Sequence, residues 1–319
     1  MRLSVADPAF CHNGVLLVDK KSGLTSHDVV ARIRRLSGQR RVGHTGTLDP
    51  LAEGLLVVCL GYATKAARFL SDQDKTYEAA LHLGRTSTTY DAEGVVETSG
   101  TMVGEFDNEA LLSTLNQFVG TTTQRVPAYS AIHVDGERLY AKARRGEEPD
   151  LPERTVRIHS IELLGYTAPL LRLKVSCAKG TYIRSLANDI GLRLGCGAYL
   201  SALRRTAIGN LSVENAMTLE HLAQAVSNGT FPGLVHDLSD VMNMGGFCVS
   251  DDFSRLVLHG RDLKSSDVVG VEGAFCSGDH VLLKDRHGRV LAVGRALVAS
   301  NSLDSASCGH LFRYDRVFN

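Results

Sequence analysis

The chain has 319 residues, 44% hydrophobic and 22% charged, enough for a substantial core and, by length, for two domains. Its 35 Lys plus Arg balance 35 Asp plus Glu, so no net field draws it toward nucleic acid and any anionic partner must be held by local patches. Seven scattered cysteines without a C-x-x-C spacing argue against a disulfide framework or a zinc site and fit a reducing cytoplasm.

The first residues, MRLSVADPAFCHNG, lack the apolar stretch of a signal peptide. Apolar runs such as LLVVCL at 55–60 fall far short of the roughly 20 residues that span a bilayer, so a soluble cytoplasmic protein is expected. GVLLVDK at 14–20 predicts a buried strand. In TSHDVVARIRRLSG, Val29, Ile33 and Leu36 recur at helical spacing, Thr25 and Asp28 fit a capping box, and Gly38 lies just past the end. The loop RRVGHTGTLDPLAEG follows, then predicted strands at 54–61 and 76–84. Residues 125–163 begin irregular and end in strand alternation. Residues 171–195 pass from alternation to a helix with Ile183, Leu186, Ile190 and Leu194 on one face. Strands joined by short turns among helices predict a mixed α+β sheet, not a doubly wound one. Beyond about residue 245 the texture changes, and 279–300 reads as two strands around RHG. The expected division is 1–245 and a small β-rich domain at 246–319.

The chemistry centres on GHTGTLDP. Pro50 pushes Asp49 to extended geometry and Gly43 and Gly46 permit tight turns, so the carboxylate is presented from a stiff loop. An aspartate in such a turn commonly bonds only its own backbone. It becomes a nucleophile if it stays ionised and faces an electrophilic carbon, which in a buried setting requires a cationic neighbour. A glycosidase would need a second acid, for which Glu53 is the candidate. Basic residues cluster at 20–41, in YAKARRG at 140–146 and in LRRT at 203–206. Each alone reads as a solvated face; together they raise the prospect of phosphate contact. GRTSTTYDAEG at 84–94 lacks phosphate-loop spacing and reads as a polar turn. His44 could be a base, a stacking group or structural.

The segments GVLLVDKKSGLTSHDVV, RRVGHTGTLDPLAEGLLVVCLGYATK, DKTYEAALHLGRTSTTYDAEG, VPAYSAIHVDGERLYAKARRG, KGTYIRSLANDIG and LGCGAYLSALRRTAIG occur in that order. This ordered set resembles the bacterial tRNA pseudouridine-55 synthases of the TruB type over about the first 215 residues. LVLHGRDL and GDHVLLKDRHGRVLAVGRAL are similar, more loosely, to the RNA-binding PUA domain that follows in that family. Three positions depart from the family pattern. Val126 stands where the first of two prolines is usual, His133 where lysine is common, and Leu211 after Asn210 where phenylalanine is expected. The first two fall in the segment expected to close over RNA.

The resemblance implies a largely antiparallel sheet flanked by helices, followed by a β-barrel-like PUA domain. It implies isomerisation of uridine 55 in the tRNA T-loop, by a monomer, with no metal, cofactor, membrane or guide RNA. Asp49 would be the nucleophile, attacking either ribose C1′ or the base, and Arg184 its pairing cation. Tyr77 would stack on the target base and could take the C5 proton. Tyr182 and Leu203 would line the pocket, His44 would hold displaced nucleotides and Lys65 would contact phosphate. Three rivals remain: an RNA-binding protein without catalysis, a guide-dependent relative in a ribonucleoprotein, and a glycoside hydrolase that needs Glu53.

Overall fold

A computed structural model of the chain describes residues 12–99, 105–130, 133–134, 137–138, 145, 151–302 and 310–318. Strands β1 (Gly14–Lys20) and β3 (Glu53–Leu60) pair antiparallel, with Gly14 opposite Leu60 and Lys20 opposite Gly54. Both are buried on both faces, which is why they read as unbroken apolar runs. Between them lie helix α1 (Ser26–Ser37) and the short β2 (Val42–His44), which pairs with β3. The capping box is present. Thr25 Oγ1 accepts from the Asp28 N–H at 3.0 Å, Asp28 accepts from the Thr25 N–H at 2.9 Å, and Gly38 closes the helix at φ 66°.

After α2 (Ala67–Ser71) come β4 (Lys75–Leu83) and a hairpin of β5 (Arg85–Ser87) with β6 (Val96–Thr98). Helix α3 (Asn108–Asn116), edge strand β7 (Gly120–Arg125) and the two-residue pair β8 (His133–Val134) and β9 (Glu137–Arg138) follow. The long hairpin β10 (Glu153–Thr167) and β11 (Leu170–Cys177) leads through helix α4 (Ile183–Arg193) into β12 (Ala198–Ile208) and β13 (Leu211–Ser212). The sheet runs β1-β3-β12-β4-β11-β10-β7, with β2 on β3 and β13 on β12.

Every pair in that sheet is antiparallel except β3 with β12, parallel at Glu53–Arg204 and Gly54–Arg205. This joint requires glycine: Gly54 has φ 95°, and a Cβ there would lie 2.3 Å from the Arg205 carbonyl oxygen. Alternate residues of β1 and β3 enter two cores. Leu16, Val18, Leu56 and Val58 pack under α1, α4 and α5 (Leu219–Ser227). Val15, Leu17, Leu55 and Val57 pack with Phe69 and with α6 (Leu238–Met242). In α4, Ile183, Leu186 and Ile190 are buried as the spacing predicts, and the C-cap Leu194 packs on the same core.

The C-terminal residues form a second sheet around their own core of Phe247, Phe253, Phe275 and Phe312. Its strands are β14 (Gly246–Val249), β15 (Val268–Glu272), β16 (His280–Lys284), β17 (Val290–Ala296) and β18 (Phe312–Val317), in the order β15-β14-β16-β17-β18, with α7 (Asp251–Leu256) after β14. The predicted turn at RHG is held by Asp285, whose carboxylate accepts from the N–H groups of His287 and Arg289 at 3.0 and 2.9 Å. Leu282, Val290, Val293 and Phe318 of this part join the core of Val15 and Leu17, so the two sheets share one apolar seam. Among the described residues no helix is long and apolar enough to cross a membrane.

Candidate active site

The loop between β2 and β3 is pinned almost residue by residue. Arg205, 1% exposed, donates from Nε to the Leu55 carbonyl at 2.8 Å, from Nη2 to Gly46 at 3.1 Å and from Nη1 to Thr47 at 3.5 Å. Ser26 Oγ accepts from the Leu48 N–H at 2.9 Å and donates to its carbonyl at 3.1 Å. Lys20, fully buried, donates to the carbonyls of Leu24 at 2.7 Å and Pro50 at 3.3 Å. A buried cation is tolerated only when its donors are satisfied, so these carbonyls have little freedom to move.

Asp49 stands in this loop on the wall of a cavity of about 320 Å³, with Tyr77 of β4, Leu203 and Arg205 of β12, and Tyr182 and Arg184 at the start of α4. Its Oδ2 lies 3.4 Å from Arg184 Nη2, and the same guanidinium meets Asp91 Oδ2 at 3.5 Å through Nη1. Nη2 also donates to the Tyr129 carbonyl at 2.8 Å. Asp91 is itself held, accepting from Thr89 Oγ1 at 2.5 Å and the Glu93 N–H at 3.1 Å. Water reaches Asp49, whose side chain is 39% exposed, but the enclosing walls displace most of the bulk solvent. That desolvation raises its pKa above the ordinary carboxylate value; Arg184 opposes the rise, Asp91 adds to it, and Lys20 and Arg205 oppose it.

Burial pushes the Tyr77 phenol pKa up, and Tyr182 likewise. The Arg184 guanidinium carbon is 5.8 Å from the Tyr182 ring centroid. His44, on β2, lies beside this wall, its ring edge-on to His27 with centroids 5.6 Å apart. Burial lowers its pKa, so it is a neutral ring near neutral pH. Of the seven residues singled out in the sequence, Asp49, Tyr77, Arg184, Tyr182 and Leu203 line one cavity, and His44 directly precedes Thr45, which also lines it. Lys65 does not: its ammonium donates to the Val317 carbonyl of β18 at 3.4 Å, against the second sheet.

The structure bears on three readings of the sequence. Glu53 is the first residue of β3, faces Arg204 at 3.8 Å and lies outside the cavity wall, so it is no second acid beside Asp49. The carboxylate that does share the site is Asp91, drawn from a stretch read as a polar turn. The cluster 203–206 is not a phosphate face either: Arg205 is interior and Arg204 pairs with Asp19 at 2.7 Å. In the cluster at 20–41, Lys20 is interior, while Arg32, Arg35, Arg40 and Arg41 are exposed. Of the cluster at 140–146 only Arg145 is among the described residues.

The mixed sheet and the small C-terminal β domain fit a pseudouridine synthase, an isomerase, and the chain's relatives assign it to that class. Residues 34–183 match the model of the TruB family pseudouridylate synthase N-terminal domain, 184–231 that of the tRNA pseudouridylate synthase B C-terminal domain, and 246–318 that of the PUA domain. The tRNA pseudouridine synthase B of Cupriavidus metallidurans is 43% identical over 300 residues, covering 89% of this chain and 90% of that protein. Its counterpart in Xylella fastidiosa is 47% identical over 220 residues, 69% and 72% of the two chains. The chain belongs to the TruB family. Among solved structures, a chain of a Cbf5–Nop10–Gar1 complex superposes with a TM-score of 0.76 at 28% identity, covering 98% of this chain and 86% of that one.

Proposed function

We propose that this protein converts uridine 55 in the T-loop of tRNA to pseudouridine. The observation that carries the reading is the single carboxylate of Asp49, rigidly mounted 3.4 Å from a buried arginine at the wall of a cavity. Asp49, ionised against Arg184, assists cleavage of the bond from ribose C1′ to uracil N1, by attack at C1′ or at the base. The uracil turns in place, C1′ bonds to C5, and the C5 proton is lost while N1 gains one. Reactant and product have the same atoms and electrons, so the balance calls for no redox or group-transfer cofactor. No water is activated and no fragment leaves, which is why one acid suffices.

Tyr77 serves as the stacking surface. Stacking on an aromatic ring is worth about 1–3 kcal/mol per base and offsets much of the few kcal/mol needed to extrude a stacked uridine. Its raised phenol pKa disfavours the phenolate needed to accept the C5 proton directly. Tyr182 and Leu203 shape the pocket, and neutral His44 suits contact with a displaced base better than with phosphate. We place the catalytic part at 1–245 and the PUA domain, as added RNA contact, at 246–319, in a monomeric cytoplasmic enzyme. Identity of 43% to a tRNA pseudouridine synthase B, against 28% to a chain of the Cbf5–Nop10–Gar1 complex, favours action on tRNA without a guide RNA.

The test is tritium release from unmodified tRNA transcript labelled at uridine C5. Wild type should release about one equivalent per tRNA and Asp49→Asn none, while both bind tRNA alike. A transcript with cytidine at position 55 should release nothing. Turnover by Asp49→Asn would sink the nucleophile assignment, and release from the cytidine transcript the site assignment.

A further inference from the structure

Gln124 is the penultimate residue of β7, on the outer edge of the large sheet, and is 1% exposed. A buried primary amide needs partners for both its oxygen and its N–H groups. Here Oε1 accepts from the backbone N–H of Tyr182 at 3.0 Å and Nε2 donates to the carbonyl of the same residue at 3.2 Å. The side chain pairs with one residue's backbone through both of its groups, as a neighbouring strand would.

What it grips is the entry to α4. Tyr182 is the N-cap, extended at φ −98° and ψ 109°, and supplies no side-chain cap of its own. Gly180, with φ 82°, stands two residues earlier, so the local sequence does little to set the helix direction. The edge strand β7 and its neighbour β10 set it instead. Arg154, opposite Gln124 across the β7–β10 pair, lies against Gly180 so closely that a Cβ there would fall 2.8 Å from its guanidinium carbon. On the other side, Ser185 Oγ donates to the Arg125 carbonyl at 3.1 Å. Segment 180–185 is thus hydrogen-bonded to β7 at Tyr182 and Ser185 and abutted by Arg154 at Gly180, with the Gln124 amide at its centre.

That segment carries Tyr182 and Arg184, the latter 3.4 Å from Asp49. We propose that Gln124, itself outside the cavity wall, is a positioning residue for the isomerisation, its amide fixing the Tyr182 backbone and thereby the aim of Arg184 at Asp49. The inference rests on the reading of Asp49 and Arg184 given above. Without the amide, the first turn of α4 can rotate about the Gly180 hinge, and small displacements of a reacting constellation lower rates steeply.

The test compares Gln124→Met, equal in length without hydrogen-bonding groups, with Val156→Ala, which thins the core under the same strand pair (Val156 is 3% exposed) and leaves the amide alone. Gln124→Met should lower kcat by about tenfold or more while Kd for unmodified tRNA stays within about twofold. Val156→Ala, at a similar drop in melting temperature, should keep the kcat of wild type. The proposal is overturned if Gln124→Met turns over within about twofold of wild type, if its loss lies in Kd, or if Val156→Ala loses as much. Should Gln124→Met not fold, Gln124→Asn, whose amide falls one methylene short, is judged by the same criteria. Asp49→Asn runs alongside: turnover there refutes the nucleophile reading, whereas the Gln124 comparison is made against wild type and stands or falls on its own.

Discussion

Asp49 and Asp91 share one guanidinium, and the surroundings of Asp49 act on its protonation with a definite sign. Desolvation outweighs the three cations around Asp49, so its pKa is raised. For a raised carboxylate, the stability it contributes is complete below the unfolded value and lost as pH rises through the folded one; near neutrality the ionised group is a net burden. Asp49→Asn is therefore expected to melt higher than wild type at about pH 7.5 and to lose that advantage near about pH 4, a comparison made by calorimetry at both values. Turnover needs the ionised form, so single-turnover tritium release should fall on acidification with a midpoint above 3.8, the ordinary value; a midpoint below it would contradict the direction of the shift. Arg184→Met leaves the buried Asp91 and the partly exposed Asp49 without their common cation and should abolish turnover and cost about 3 kcal/mol of stability, read from urea denaturation. The glycines and proline around Asp49 drew attention to it in the sequence, but its role there came only as what the family resemblance implies. Lys20, Arg205 and Asp91 were not legible there, because a charged letter in a sequence does not show whether it is buried or what satisfies it.

At the scale of elements, α1 was read nearly residue by residue, since its cap, apolar spacing and terminal glycine are all local signals. Removing one of them should have a local price: Thr25→Ala is expected to lower stability by about 1 kcal/mol in chemical denaturation. Strand β7, GTTTQR, went unread, because an edge strand needs no apolar alternation and its pairing with β10 is fixed by a partner some thirty positions away. The β3–β12 joint is equally non-local. Gly54→Ala should force β3 away from the Arg205 backbone, destabilise the chain by about 3 kcal/mol and displace the carbonyls that Arg205 holds. Turnover should then fall more than the loss of folded protein explains; activity per folded molecule equal to wild type would separate the joint from the site.

At the scale of the molecule, length and texture raised the expectation of two parts but carried no signal of how the two sheets meet. The seam is made by residues far apart in the chain: Phe69 meets His280 with ring centroids 5.5 Å apart, and Arg68 and Lys65 donate to the Asp315 and Val317 carbonyls at 3.3 and 3.4 Å. A single calorimetric transition is expected for the whole chain, and a variant ending at residue 245 should melt lower; two separate transitions would mean that the shared core couples the parts weakly. RNA affinity should fall steeply with salt despite zero net charge, the slope easing by about one on removal of each phosphate-contacting arginine among Arg32, Arg35, Arg40 and Arg41. The grip of Arg205 on the Leu55 carbonyl spans 150 positions. On the ribosome, therefore, the aspartate loop emerges long before the residue that shapes it, and the nascent chain carries an unformed site until β12 has been made. Chemical competence arrives late in synthesis, so a truncated product stalled before that strand is expected to show no turnover rather than to be a loose, partly active enzyme.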